Sequence, residues 1–218
     1  MITLYDYEYS ANCYKVRLML AVLGLQYHLV PIDIYPGDDH LKPPFLDLNP
    51  LAEVPVLVDS DVTLTDAHAI LVRLAEDHDA GRNWLPPQPA LLPLALQWLG
   101  IAARLSASSG AARMALAKTE EIDLEALRST ALPIMRMIDE HLWFGERMGH
   151  EWLLPPAHPT VADIACFPDL ALCEEAGISR LDYPAIRRWI DRVRRIDGFI
   201  VMSGIFPASP GLHRSAAA

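Results

Sequence analysis

The apolar positions of this chain change their period near residue 80. Before that point, short runs of strand formers alternate with helical stripes; beyond it only helical spacing is left. Ile2-Thr3-Leu4-Tyr5 reads as a short strand. Residues 12–23 read as a helix ended by Gly24, a common residue just past a helix C-terminus. Residues 27–34 predict a second strand, with Pro31 marking an edge or an end. Residues 36–44 form a polar, proline-rich loop, and residues 45–49 predict a short helix stopped by Pro50. Residues 54–58 and 62–64 are strand-like, joined by the hairpin-turn chemistry of Asp59-Ser60-Asp61. Thr65-Asp66 then starts a helix whose apolar positions Ala67, Ile70, Leu71, Leu74 and Ala75 follow i, i+3, i+4, i+7, i+8. This βαβ unit followed by ββα predicts a mixed four-stranded sheet with helices on both faces.

Residues 81–93 contain four prolines and read as a linker between a first domain, 1–80, and a second, 94–218. Residues 94–118 and 124–147 carry helical patterns. Thr160-Val-Ala-Asp163 is a capping box: Thr160 caps and Asp163 reaches back. Its helix is expected to run to about residue 175, kinked at Pro168. Tyr183-Pro184 opens another helix through Ile186, Trp189, Ile190 and Val193, with proline in the first turn. The fold class is therefore α/β plus all-α, with the second domain a helical bundle.

Composition narrows the function. With 218 residues and 52% hydrophobic positions, the chain can bury one large core or two small ones. A formal net charge of -10 argues against nucleic acid or an anionic membrane as partner. The apolar runs are too short to span a bilayer, and the N-terminus enters strand-like sequence without a signal-peptide pattern. Three cysteines, Cys13, Cys166 and Cys173, do not make a disulfide framework and fit reduced thiols in a cytoplasm. Cys166 and Cys173 read as core thiols. The eight histidines form no His-x-x-x-His or mixed Cys/His cluster, so no metal is expected. There is no glycine-rich phosphate loop and no internal repeat.

The stretch Ser10-Ala-Asn-Cys-Tyr-Lys-Val-Arg17 holds the candidate chemistry. A strand turning into a helix leaves free backbone N–H groups at the helix start, where negative charge is favoured. Ser10 at that start, with Cys13 three residues on, suits a site that stabilises an anion such as a thiolate. Ser10 or Asn12 can equally be a plain helix cap.

Four stretches, in order, resemble the soluble glutathione S-transferases: Ser10 to Arg17; Asn49-Pro50-Leu-Ala-Glu-Val54-Pro55-Val-Leu57; Leu64-Thr-Asp66-Ala67-His-Ala69-Ile70-Leu71; and the Thr160 box followed by Tyr183-Pro-Ala-Ile-Arg-Arg-Trp189. The resemblance implies a thioredoxin-like first domain that binds glutathione. It also implies a helical second domain that lines an electrophile pocket, and a homodimer. Glutathione is then a co-substrate, and no permanently bound cofactor is implied. Ser10 matches the family's catalytic serine, which donates a hydrogen bond to the glutathione sulfur. A hydrogen bond to a charged acceptor is worth about 1.5–3 kcal/mol and a helix N-terminus roughly 0.3–1 kcal/mol. Together these lower a thiol pKa by about 1.5–2 units. Val54-Pro55 matches the family's cis-proline element, where the Val54 backbone pairs with the cysteinyl backbone of glutathione.

Other positions carry over with changes. The superfamily's redox motif is Cys-x-x-Cys; here it reads Ser10-Ala-Asn-Cys13, so the attacking cysteine is missing. Cys13 either forms a mixed disulfide with glutathione or packs in the first helix turn. Tyr7 and Tyr9 stand as alternative donors or pocket walls, as does Asn12. The family's Glu-Ser is replaced by Asp66-Ala67. Asp66 can still receive the γ-glutamyl ammonium, while Ala67 keeps only its backbone N–H for the carboxylate. Glu53 opposes an anionic tripeptide unless His40 or Lys42 compensates. By resemblance, Arg104, Ser108, Arg113 and Met114 are candidates for the electrophile pocket. Ser106-Ala-Ser-Ser-Gly110 marks a helix break, an open pocket or a close helix contact. The expected activity is conjugation of glutathione to an electrophile. The rivals are thiol-disulfide or isomerase chemistry on the same fold, and a non-catalytic binding protein.

Overall fold

The structure is a computed structural model that describes residues 1–86, 88–155 and 157–207. The sheet comprises β1 (Ile2–Asp6), β2 (Tyr27–Pro31), β3 (Val56–Asp59) and β4 (Val62–Leu64), in the order β2-β1-β3-β4. β1 pairs parallel with β2, Leu4 opposite Leu29, and antiparallel with β3, Leu4 opposite Leu57. β3 and β4 form an antiparallel hairpin. Ser60 in its turn takes a positive φ of 54°.

Three helices complete this half: α1 (Ala11–Val22), the short α2 (Pro43–Leu46) and α3 (Ala67–His78). α1 and α3 each begin at a side-chain cap: Ser10 accepts from the Cys13 N–H, and Asp66 from the Ala69 N–H. The second strand is shorter than expected, ending at Pro31 opposite Asp6, where β1 itself ends. Ile32 and Ile34 are nonetheless buried, packed with Phe45 and Val56. The short helix begins two residues earlier than expected, because Pro43 and Pro44 fit its first turn. The third strand begins two residues late, at Val56.

The second half is helical: α4 (Leu92–Leu105), α5 (Ala111–Lys118), α6 (Leu124–Arg147), α7 (Val161–Ala171) and α8 (Pro184–Val193). A π-turn, Ser106–Gly110, separates α4 from α5, so the stretch expected as one helix is interrupted at its small polar residues. α7 carries the full capping box but ends at Ala171, four residues short of the expected end. A 3-10 turn, Cys173–Ala176, follows, closed by left-handed Gly177. The last eleven residues of the expected helical domain lie outside the described ones.

α1 and α3 pack on α7, which is buried throughout. The main core therefore runs through both halves, from Leu4, Leu18 and Leu71 to Leu99, Phe167 and Trp189. Residues of the expected linker join it. Trp84 and Leu85 are buried, and the Trp84 carbonyl accepts from the Val161 N–H at 2.9 Å. Burial of this continuous apolar surface at about 25 cal/mol per Å² holds the halves together.

Candidate functional site

A cavity of about 560 Å³ opens where the start of α1 and the start of α3 meet the α4–α5 junction. The turn from β1 to α1 forms one wall and is tied at several points. The Ser10 N–H donates to the Tyr7 carbonyl at 2.9 Å, and the Tyr7 N–H to Cys13 Sγ at 3.3 Å. Arg17 donates to the Glu8 carbonyl at 3.0 Å and pairs with Asp6. From the other half, Arg113 Nη1 donates to the Tyr9 carbonyl at 2.7 Å. A turn held this way presents Ser10 without reorganisation.

Ser10 lines the cavity. Its oxygen accepts from the Cys13 N–H at 3.2 Å, and its hydroxyl hydrogen has no acceptor among the described residues. Asn12, Tyr7, His40, Glu53, Val54, Asp66 and Ala67 line the same space, as do Arg113 and Met114. The Val54-Pro55 bond is cis; so is Tyr35-Pro36. The Val54 N–H and carbonyl take no hydrogen bond from the described residues. Pro55 is buried behind them.

Other expected positions fall elsewhere. Arg104 is exposed outside the cavity, while its neighbour Ala103 lines it. Ser108 is buried and donates to the Arg104 carbonyl at 2.6 Å, turned into the helix. Lys42 points to solvent and pairs with Asp39. Tyr9 is largely exposed, beside the Tyr7 ring and under the Arg113 guanidinium. Cys13 is fully buried, and burial pushes its thiol up to about 12. A thiol so protonated at neutral pH is a poor nucleophile.

Sequence reading did not single out Lys15, Asp169 or His68, which form the floor and wall of the cavity beside Ser106. Lys15, 0% exposed, donates to Asn12 Oδ1 at 2.8 Å and to Ser106 Oγ at 2.8 Å, and pairs with Asp169 Oδ2 at 3.0 Å. The Ser106 hydroxyl donates to Asp169 at 2.7 Å. His68 forms part of the wall, its Nε2 buried without a partner. Burial, then the Lys15 ammonium, pull its pKa down to about 4. The available signal was a second charge in each of two largely apolar helices, Lys15 beside Arg17 in α1 and Asp169 beyond the capping Asp163 in α7. Arg113 is pinned by Glu175 at 2.6 Å, and its Nη2 is buried without a partner. Among the described residues no group of three or more His, Cys, Asp or Glu could hold a metal ion. Nor is any helix long and apolar enough to cross a membrane.

A thioredoxin-like sheet joined to a helical bundle, with a cavity between them, defines a two-part protein class. Family models for the glutathione S-transferase N-terminal and C-terminal domains match residues 4–83 and 121–192. The chain is 31% identical over 207 residues to maleylacetoacetate isomerase of Pseudomonas aeruginosa, covering 86% of this chain and 89% of that protein. It is 37% identical over 92 residues to glutathione S-transferase Z1 of Arabidopsis thaliana, and the match spans only 38% of that relative's length. The crystal structure of a glutathione S-transferase from Pseudomonas fluorescens superposes with a TM-score of 0.81 at 28% identity, over 92% of this chain and 98% of that one. This chain belongs to the glutathione S-transferase family.

Proposed function

We propose that this protein is a glutathione transferase, in which Ser10 stabilises the glutathione thiolate for attack on a small electrophile. The observation that carries the reading is the free Ser10 hydroxyl hydrogen at the cavity wall, its oxygen already committed to the Cys13 N–H. A hydroxyl so placed donates to a sulfur lodged at the helix start and adds to the favourable helix-end potential there. The unpartnered Val54 backbone suits antiparallel pairing with the cysteinyl residue, as in strand addition. Asp66 accepts the γ-glutamyl ammonium on the carboxylate oxygen its cap bond leaves free, and the start of α3 offers N–H groups to the neighbouring carboxylate. His40 faces the glycyl end, and Arg113 and Met114 border the electrophile. Lys42, committed to Asp39, offers little compensation for Glu53. The expected assembly is a homodimer, and the expected compartment the cytoplasm.

The full-length likeness to a protein named maleylacetoacetate isomerase favours a second reading, glutathione-dependent isomerisation at the same cavity. Calorimetric titration with glutathione separates both from a binding protein that has lost the site. Dissociation constants from micromolar to low millimolar support an enzyme; no binding at several millimolar removes both readings. Ser10→Ala should raise the pKa of bound glutathione by more than about one unit. An unchanged value would take Ser10 out of the mechanism. Turnover of an activated aryl halide against cis–trans isomerisation of an enone acid then separates transferase from isomerase.

A further inference from the structure

We propose that Asn12 is a second hydrogen-bond donor to the reacting sulfur, and that Lys15 is the positioning residue that aims it. This inference rests on the glutathione reading of the cavity. An ammonium group has donors and no acceptor, so the Asn12 atom 2.8 Å from Lys15 Nζ must be the amide oxygen. Chemistry thus sets the orientation of the amide. The oxygen faces the protein interior, and the NH₂ of the same planar group faces the other way. That NH₂ has no partner among the described residues, and Asn12 lines the cavity beside Ser10. Both side chains stand at the first turn of α1, so a sulfur bound at the helix start meets a hydroxyl and an amide together.

The anchoring of Lys15 is unusual for mere packing. Its three donors meet Asn12, Ser106 and Asp169, acceptors from α1, the π-turn and α7. Removing a lysine and an aspartate from water is costly, and an apolar pair of similar volume would join α1 to α7 at least as well. An apolar pair could not hold an amide oxygen inward. The ammonium can, and the π-turn supplies the Ser106 hydroxyl that closes the triangle with Asp169. Charged and titratable groups around this cluster are Lys15, Asp169, His68, Asp66 and the buried Cys166.

The test uses the intact protein with glutathione and with S-methylglutathione, which has no ionisable thiol. Thiolate absorbance across a pH series reads the pKa of bound glutathione, and calorimetry reads S-methylglutathione affinity. Asn12→Ala should raise the bound pKa by about one unit and slow conjugation about tenfold below it. S-methylglutathione affinity should stay within about twofold. Lys15→Met alone strands the buried Asp169 carboxylate and can prevent folding. The double variant Lys15→Met/Asp169→Leu removes both charges and should fold, with the same rise in pKa and the same S-methylglutathione affinity. An unmoved pKa in Asn12→Ala, or a loss of S-methylglutathione affinity in that variant, would overturn the role of Asn12. A pKa moved in Asn12→Ala but not in the folded double variant would overturn the role of Lys15. Wild-type protein that binds neither probe would overturn the glutathione reading, and this inference with it.

Discussion

Acid should destabilise this protein through His68. The ring sits in the first turn of α3 with Nε2 buried and unpartnered. Burial and then the Lys15 ammonium lower its pKa to about 4, while Asp66 and Asp169 act in the opposite sense. In the unfolded chain the same ring titrates near ~6.5. Between those values the unfolded state binds a proton that the folded state refuses. Stability is therefore full above about pH 6.5 and falls as pH drops toward about 4. The gap of roughly 2.5 units corresponds to about 3.4 kcal/mol at ~1.36 kcal/mol per unit. Partial contact with cavity water reduces it to about 2–3 kcal/mol, of which about 1.5–2 is lost between about pH 7 and 5. Urea unfolding of wild type and His68→Gln across that range isolates the contribution, because the carboxylates common to both cancel in the difference. The wild type should lose about 1.5–2 kcal/mol more than the variant, or roughly 3–8 °C in Tm. Parallel stability–pH curves would refute the argument.

Two further outcomes follow from buried groups. Asp163 accepts from the Thr160 N–H at 2.8 Å, the Leu153 N–H at 3.1 Å, Trp189 Nε1 at 2.9 Å and the Thr160 hydroxyl at 3.2 Å. Asp163→Ala leaves these donors buried and should cost about 4 kcal/mol in urea unfolding, with Asp163→Asn losing less; a loss under about 1 kcal/mol would mean that the donors find other partners. All three thiols are buried, burial pushing Cys13 and Cys173 up to about 12 and Cys166 higher still. An alkylating reagent at neutral pH should label the native protein no faster than it unfolds, and rapid labelling of one cysteine would contradict the burial of these groups.

The elements legible in the sequence were those with a local physical cause. Ser10, Asp66 and Thr160 announce helix starts because a short polar side chain can reach the first free N–H groups. The stripe Ala67 to Ala75 announces α3 because only one face of that helix meets the core. Element ends were less legible. The Val54 strand started late, and α7 stopped at Ala171, because neighbours in space decide where a ladder or helix loses its partners. The electrophile side fared worst. One π-turn at 106–110 changes which side chains face inward, so Ser108 lies in the core and Ser106 on the cavity.

Around Ser10, the capping and donor readings turn out to be compatible: its oxygen accepts from the Cys13 N–H and its hydrogen stays free. The chain alone determined the change of period near residue 80, the caps, and the Ser10 and Val54-Pro55 motifs, because these depend on residues close in sequence. Only the tertiary structure decided that Lys15 and Asp169, 154 positions apart, meet with Ser106 beneath Asn12. No local rule reports that meeting. It arises from the packing of α1 against α7, a contact governed by apolar surface that is blind to the charges it encloses.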